Sequence, residues 1–255
     1  MCVLVISSFY LYIHINIFLR FCKESERNDT MKIVIINASF RKNGATAKVL
    51  SEFVDQLKLC GEPDIAMFHL SDLKMDYCKG CCSCYKTGQC FIEDDVNMLI
   101  QAIVEADGFV VGTPNYVSNV SGQLKTFIDR AHFVLPQLLK GKHTLGVVTY
   151  ENVMGASAYG VLKNLFILSG ANTANKIIVK TAFNSDPIAN ETIKANVKRK
   201  AAKFYNAIRK KKSSSLRNKI VHFFAFHFVI KPFVLKKGEA CQGVRQHWND
   251  RGISH

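Results

Sequence analysis

The chain has 255 residues, 48% of them hydrophobic and 21% charged, enough to bury the core of one α/β domain with appendages, or of two small domains, without disulfide staples. Its formal charge of +14 is unevenly placed: from Glu191 to His255 there are 16 Lys and Arg against three Asp and Glu, which leaves the rest close to neutral. A basic tail on a near-neutral body points to an anionic surface as the tail's partner and argues against a body built to bind nucleic acid.

Met1 to Leu19 is uncharged and apolar, softened by Ser7, Ser8, His14 and Asn16. It lacks the basic start and small-residue cleavage site of a secretion signal, and its length just suffices for a membrane span. The reading adopted takes residues 1–30 as an extension ahead of a start at Met31, in preference to an anchor, and places the protein in the cytoplasm. Met31 stands directly before Ile33-Val34-Ile35-Ile36, a β-branched run of the length of a buried parallel strand. A polar, basic loop follows, and then a helix with Val49, Leu50, Phe53, Val54 and Leu57 on one face. Strand, polar loop and helix N-terminus is an arrangement that binds phosphate through free backbone N–H groups. Ser39, Arg41 and Thr46 could complete such a cradle; an ordinary βα connection with a capping hydroxyl is the alternative. The loop matches neither the nucleotide-hydrolysing G-x-x-x-x-G-K-[ST] pattern nor the dinucleotide G-x-G-x-x-G pattern.

Asp64–Leu70 reads as a second strand nearer the edge. Asp94 and Asp95 open a helix with Val96, Leu99, Ile100, Ile103 and Val104 on its apolar face. Gly108–Thr113 is a buried strand ending at Pro114, and Ser121 caps a helix carrying Leu124, Phe127 and Ile128. A fourth strand at Thr144–Tyr150, a helix at Ala156–Leu168, a fifth strand at Thr173–Lys180 and a basic helix from about Ala189 to Lys210 complete the alternation. Five strands alternating with helices imply a parallel sheet covered on both faces. Ligands then bind at the carboxyl ends of the central strands, where the loops Ser39–Thr46, Thr113–Ser118 and Tyr150–Gly155 should meet. Tyr116 could face a flat ring there, with a plain surface aromatic as the alternative. Asp129-Arg130 reads as a structural ion pair, and His69, His132 and His143 as satisfied core or surface histidines.

Five of nine cysteines lie between Cys78 and Cys90. Their spacing, Cys78-x2-Cys81-x2-Cys84-x5-Cys90 with Cys82 as an extra, suits four thiolates wrapping an iron–sulfur cubane, a tetrahedral zinc, or a metal-free thiol loop. Cys2, Cys22, Cys60 and Cys241 read as unligated thiols.

The combination of NASFRKNGAT, CKGCCSCYKTGQC, GTPNYV and GQLKTFIDR resembles the flavodoxin-like NAD(P)H-dependent FMN reductases, and within them the iron–sulfur flavoproteins. The resemblance covers about residues 31–210. It implies a doubly wound five-stranded parallel sheet of order 2-1-3-4-5, non-covalent FMN, and NAD(P)H as co-substrate. By the same resemblance the FMN phosphate lies on Ser39, Arg41, Asn43, Ala45 and Thr46. The ring contacts come from Pro114, Asn115, Tyr116 and Val117, with Tyr150 as a third edge. The cysteine spacing matches the cluster motif of that family, which places a [4Fe–4S] cluster on Cys78, Cys81, Cys84 and Cys90; electrons are expected to leave singly through it to a small-molecule or protein acceptor, and a homodimer or homotetramer is expected. The sequence departs from the family pattern at Phe40, where Pro is typical, and at Ala45, where a polar Asn is common. A non-enzymatic electron carrier and a zinc-stabilised binding protein are the competing classes.

Beyond the flavodoxin-like domain, set at residues 31–212, the segment 213–255 reads as a basic, aromatic, helical tail. Its Ile220–Ile230 run is too short to span a bilayer and too apolar to stay solvated. It is expected to pack on a neighbouring subunit, with an interfacial seat on a membrane as the alternative.

Overall fold

The computed structural model describes residues 30–253; the expectations for the N-terminal extension, with Cys2 and Cys22, lie outside the described residues. Strands β1 (Lys32–Asn37), β2 (Asp64–His69), β3 (Gly108–Pro114), β4 (His143–Tyr150) and β5 (Asn172–Lys180) form one sheet in the order β2-β1-β3-β4-β5. All four pairings are parallel, with Ile33 beside both Ile65 and Gly108, and Gly108 beside His143. This is the flavodoxin-like doubly wound order, whose strand reversal between β1 and β3 opens a crevice at the carboxyl edge.

The unbroken apolar run of β1 follows from burial on both faces. Ile33 and Ile35 pack with Val110, Leu145 and Val147 beneath α1 (Ala45–Lys58) and the long basic helix Glu191–Arg209. Val34 and Ile36 point the other way, into a layer with Phe109, Leu99, Phe127 and Leu162. Each such side chain contributes about 1.5–3 kcal/mol when fully buried. Gly112 lets α1 sit close on β3: a Cβ there would lie 2.7 Å from Leu50 Cδ1 and 3.0 Å from Thr46 Cγ2. The other helices of the domain are α2 (Ser83–Thr87), α3 (Val96–Glu105), α4 (Gly122–Ala131), α5 (Gly155–Leu168) and α6, the helix Glu191–Arg209. Ser121 caps α4 as expected, its Oγ accepting from Leu124 N–H.

After residues 210–215 comes α7 (Leu216–Lys236), helical throughout but with a π-helical stretch at Ala225–Ile230, and then α8 (Gln242–Asp250). This corrects the expected apolar span, which stopped at Ile230. Proline inside a helix normally ends it, because its ring clashes with an earlier carbonyl. Here the wider π turn precedes Pro232 and carries the helix through. At 21 residues α7 is, among the described residues, long and apolar enough to cross a membrane by length and composition. One side of it is engaged within the chain. Phe226, Ile230 and Val234 pack with Cys241, Val244 and Trp248, against Tyr85, Val134 and Leu135 of the sheet domain.

Candidate functional site

A cavity of about 950 Å³ lies at the carboxyl edge. The structure brings eight of the ten residues named for the cofactor to its wall: Arg41, Asn43, Ala45, Pro114, Asn115, Tyr116, Val117 and Tyr150. Ser39 and Thr46 do not line it. Both are buried, Ser39 Oγ reaching Arg41 O at 3.3 Å and Thr46 Oγ1 bonding Thr149 Oγ1 at 2.7 Å. Their hydroxyls are spent on holding the loop and tying α1 to β4.

The cradle itself is backbone. Gly44 precedes α1 in extended conformation and provides no side-chain cap, so the first N–H groups of α1 face the cavity wall without one. A Cβ at Gly44 would sit 3.1 Å from Arg41 Cβ and 3.2 Å from Arg41 O, so the loop closes tightly at that point. Two cations flank it. Arg41 donates to Asn184 Oδ1 at 3.1 Å and lies 5.0 Å from the centre of the Phe183 ring. Lys48 pairs with Asp186 at 2.9 Å. Sequence reasoning missed Gly44, Lys48 and the Thr181–Ser185 segment that forms the far wall. A signal existed for Lys48, which stands four residues after Gly44 and therefore above it on the same helix face.

The opposite wall is a tight turn. Tyr116 and Asn119 exchange both backbone hydrogen bonds at 3.0 Å, which leaves Val117 and Ser118 at its tip with φ of 45° and 64°. A β-branched residue at positive φ is rare and strained, and Val117 is 99% exposed. Ser118 Oγ contacts Met154 Sδ at 3.2 Å, and Asn115 Nδ2 donates to Val153 O at 3.3 Å, joining this turn to the Tyr150–Gly155 loop. Asn115 Oδ1 is buried with no hydrogen-bond partner. An orphaned acceptor in a cavity wall fits a ligand carrying a ring N–H. On the other side of Tyr116 a second groove of about 550 Å³ runs past Phe40, Tyr77 and Gln123, and Gln123 Oε1 is likewise buried and unpartnered.

The cysteine loop projects beyond β2. Cys78, Cys81 and Cys82 are exposed, Cys84 and Cys90 half-buried, and Cys82 is held at φ 59° before α2. Burial first, then the neighbouring Cys90, Cys78 and Cys81, push the Cys84 thiol up to about 11. The four named cysteines therefore share one electrostatic neighbourhood. Yet among the described residues no three His, Cys, Asp or Glu side chains converge on a point that could hold a single ion. Four thiolates in one loop are a donor set that could hold either an iron–sulfur cluster or a tetrahedral zinc.

Arg130 anchors this loop from below. Arg130 is 2% exposed, and its guanidinium grips both carboxylate oxygens of Asp94 at 2.7 and 2.9 Å and donates to Asp76 O at 2.7 Å. Burial would raise the Asp94 pKa, but the bonds from Arg130 and from the backbone N–H groups of Asp76 and Val96 hold it below the usual carboxylate range. The expected Asp129–Arg130 pair is thus corrected. Adjacent residues on a helix point apart, and Asp129 pairs instead with Lys125 at 2.6 Å, one turn back. Of the three histidines, His69 bonds Asn37 at 3.0 Å, His132 meets the Tyr85 hydroxyl at 3.3 Å, and His143 is buried.

The pattern of the NADPH-dependent FMN reductase family matches residues 31–184. An iron–sulfur flavoprotein of Clostridioides difficile is 37% identical over 225 residues, covering 88% of this chain and 100% of the relative. An iron–sulfur flavoprotein of Archaeoglobus fulgidus is 37% identical over 127 residues, 48% of this chain and 56% of that one. The chain thus spans the whole of the clostridial relative but only about half of the archaeal one. Among solved structures, an NADH:FMN oxidoreductase in its apo form superposes with a TM-score of 0.54 at 20% identity, covering 74% of this chain and 94% of that one. An NAD(P)H:quinone oxidoreductase from Methanothermobacter marburgensis gives 0.55 at 14% identity, covering 68% and 98%. These two likenesses speak to the fold. On the family match and the full-length relative, the chain belongs to the NADPH-dependent FMN reductase family and is an NAD(P)H-dependent flavin oxidoreductase.

Proposed function

We propose that the 950 Å³ cavity holds FMN, that the Cys78–Cys90 loop holds a [4Fe–4S] cluster, and that the protein passes electrons from reduced nicotinamide to an acceptor through both. The observation that carries this reading is the pairing of an uncapped helix start between two cations with an orphaned buried acceptor at Asn115. A flavin phosphate and a flavin ring edge need those two features respectively. Bound FMN would supply hydride acceptance, and the cluster one-electron transfer.

The chain's own residues would bind and orient. Arg41 and Lys48 would neutralise phosphate charge, Asn115 would accept from the ring, and the Tyr116–Asn119 turn would hold Tyr116 as a wall. The Cys78–Cys90 loop would present four thiolates for the cluster, with Arg130 and Asp94 fixing the chain segments on either side of it. The name of the clostridial relative supports the cluster, as does the Cys78-x2-Cys81-x2-Cys84-x5-Cys90 spacing.

The test is protein purified without oxygen, read by absorption and by NADH or NADPH oxidation with a quinone or ferricyanide acceptor. Bound flavin, bound iron and rapid oxidation are the expected result. Bound flavin without nicotinamide oxidation would make the protein an electron carrier. Zinc in place of iron, with no flavin, would overturn the proposal.

A further inference from the structure

The outer side of α7 has no counterpart in the flavin reading. Ile220, Val221, Phe223, Phe224, Phe228 and Val229 are all exposed, Phe228 by 67%, and Phe224 and Phe228 stack at 5.5 Å on the solvent side. Only 17% of the apolar window of this helix is buried. A soluble chain does not maintain so long an apolar aromatic face without something to cover it.

The charge around that face identifies the covering partner. From Thr192 to Gly238 the chain carries 14 Lys and Arg and not one Asp or Glu. Arg217, Lys219, Lys236 and Lys237 are exposed on or just beyond α7 itself, and Lys210, Lys211 and Lys212 stand just ahead of it. A second copy docking here by two-fold symmetry would set this basic surface against itself. An anionic bilayer would meet both features at once, taking the aromatic side chains into the acyl boundary and the lysines against its headgroups. The same helix does not need to cross. Its inner side is held by Phe226, Ile230 and Val234 against Trp248, with the Trp248 indole N–H donating to Leu135 O at 2.8 Å. Leaving the domain to span a membrane would strip Trp248 and its neighbours of that cover.

We infer that α7 is a membrane-docking element: it seats the flavin domain on the surface of an anionic phospholipid bilayer, lying in the interface with Phe224 and Phe228 inserted.

The experiment is sedimentation of the full-length holoprotein with vesicles of phosphatidylglycerol and phosphatidylcholine, beside vesicles of phosphatidylcholine alone, with mass in solution measured in parallel. Binding is expected to be roughly tenfold or more tighter on the anionic vesicles. It should weaken by roughly tenfold or more in Phe224→Ser/Phe228→Ser, and similarly in Lys236→Glu/Lys237→Glu, with solution mass and flavin content unchanged. Both variants alter exposed side chains only, and all proteins keep the apolar Met1–Leu19 run, so binding through that run would survive the substitutions. The inference is overturned if wild type ignores anionic vesicles, if both variants bind them as wild type does, or if Phe224→Ser/Phe228→Ser splits an oligomer, which would make the face a subunit contact.

Discussion

Gly243 of α8 lies directly on Gly88 at the end of the cysteine loop: a Cβ built on Gly243 would stand 2.1 Å from the Gly88 nitrogen and 2.7 Å from its Cα. Beside this contact His247 Nε2 reaches Gly88 O at 2.8 Å, and Arg251 bonds the carbonyls of Pro136 and Gln137. The C-terminal segment, with Gly243 155 residues after Gly88, is therefore one wall of the cysteine loop. Gly243→Ala sets a methyl group against backbone that cannot rotate aside, so α8 must move off. Overpacking of this kind costs about 1–3 kcal/mol. The expected outcome is a lower thermal midpoint and reduced iron content with flavin content retained; unchanged iron would mean that the loop is held without α8.

The buried Arg130–Asp94 pair makes a second, larger prediction. Removing one partner leaves an uncompensated buried charge, which costs about 3–5 kcal/mol. Asp94→Asn and Arg130→Met should each show that loss in denaturant titration, while the double variant should recover part of it. The folded Asp94 pKa lies below the unfolded one, so its contribution is fully present above the unfolded pKa and is lost as pH falls through the folded value. Asp129→Asn, which breaks only the exposed Lys125 pair, should cost under about 1 kcal/mol.

At the phosphate cradle, Arg41 and Lys48 are the two side-chain cations on the cavity wall. Replacing both with Ala should weaken FMN by about 2–4 kcal/mol, at roughly 1–2 kcal/mol for each charge-assisted hydrogen bond lost. Fluorescence titration of apoprotein with FMN reads this directly. Riboflavin, which lacks the phosphate, should lose little; an equal loss for both ligands would show that the two cations act on the fold of the loop.

What the sequence made legible follows from periodicity and from local signals. Runs such as Ile33–Ile36 and Gly108–Thr113 are apolar at every position because both sheet faces are covered, and Ser121 announces α4 by its type and place. The loops of the cavity were legible because a doubly wound sheet brings strand ends together, while Asn43, Asn115 and Tyr150 were named within them by the resemblance to the FMN reductases. Other features depend on partners far away in sequence. Thr46 looked like a cradle hydroxyl, but its partner is Thr149 on another strand. Arg130 looked like the partner of its neighbour Asp129, but helix geometry sends it to Asp94. The apolar run looked as if it stopped at Ile230, because a π turn that carries a helix on through Pro232 has no sequence signature to announce it. The wall that α8 builds against Gly88 was hidden for the same reason: two glycines 155 positions apart say nothing until they touch.

His222 links the tail to pH. Its Nε2 lies 2.7 Å from Gln137 Oε1, and burial, followed by nearby Lys140 and His227, lowers its pKa from 6.5 to about 4. The unfolded or undocked chain binds the proton more readily, so this contribution is complete above pH 6.5 and declines as pH falls toward 4. Hydrogen exchange of the α7 amides at pH 7 and pH 5, corrected for the intrinsic rate, should show weaker protection at the lower pH. His222→Gln, which keeps a neutral donor, should flatten that difference. A pH dependence that persists in His222→Gln would place the responsible group elsewhere.

The flavin cavity and the cysteine loop are separable, and that gives the last prediction. No residue from the Cys78–Cys90 loop lines the 950 Å³ cavity; the nearest link is Tyr77, which borders the second groove across from Tyr116. Cys84 is half-buried in the middle of the thiol loop and lies near Cys78, Cys81 and Cys90. Cys84→Ala should therefore abolish bound iron and its broad visible absorbance while leaving FMN affinity within about twofold, because no cavity contact is touched. Reduction of the bound flavin by NAD(P)H should proceed at a similar rate. Turnover with a one-electron acceptor should fall, since the route proposed for single electrons is the part removed. Iron content, flavin content and the two rates, measured on one anaerobic preparation, separate the possibilities. Lost flavin would show that the loop supports the cavity after all. Retained one-electron turnover without iron would leave a simple two-electron flavin reductase.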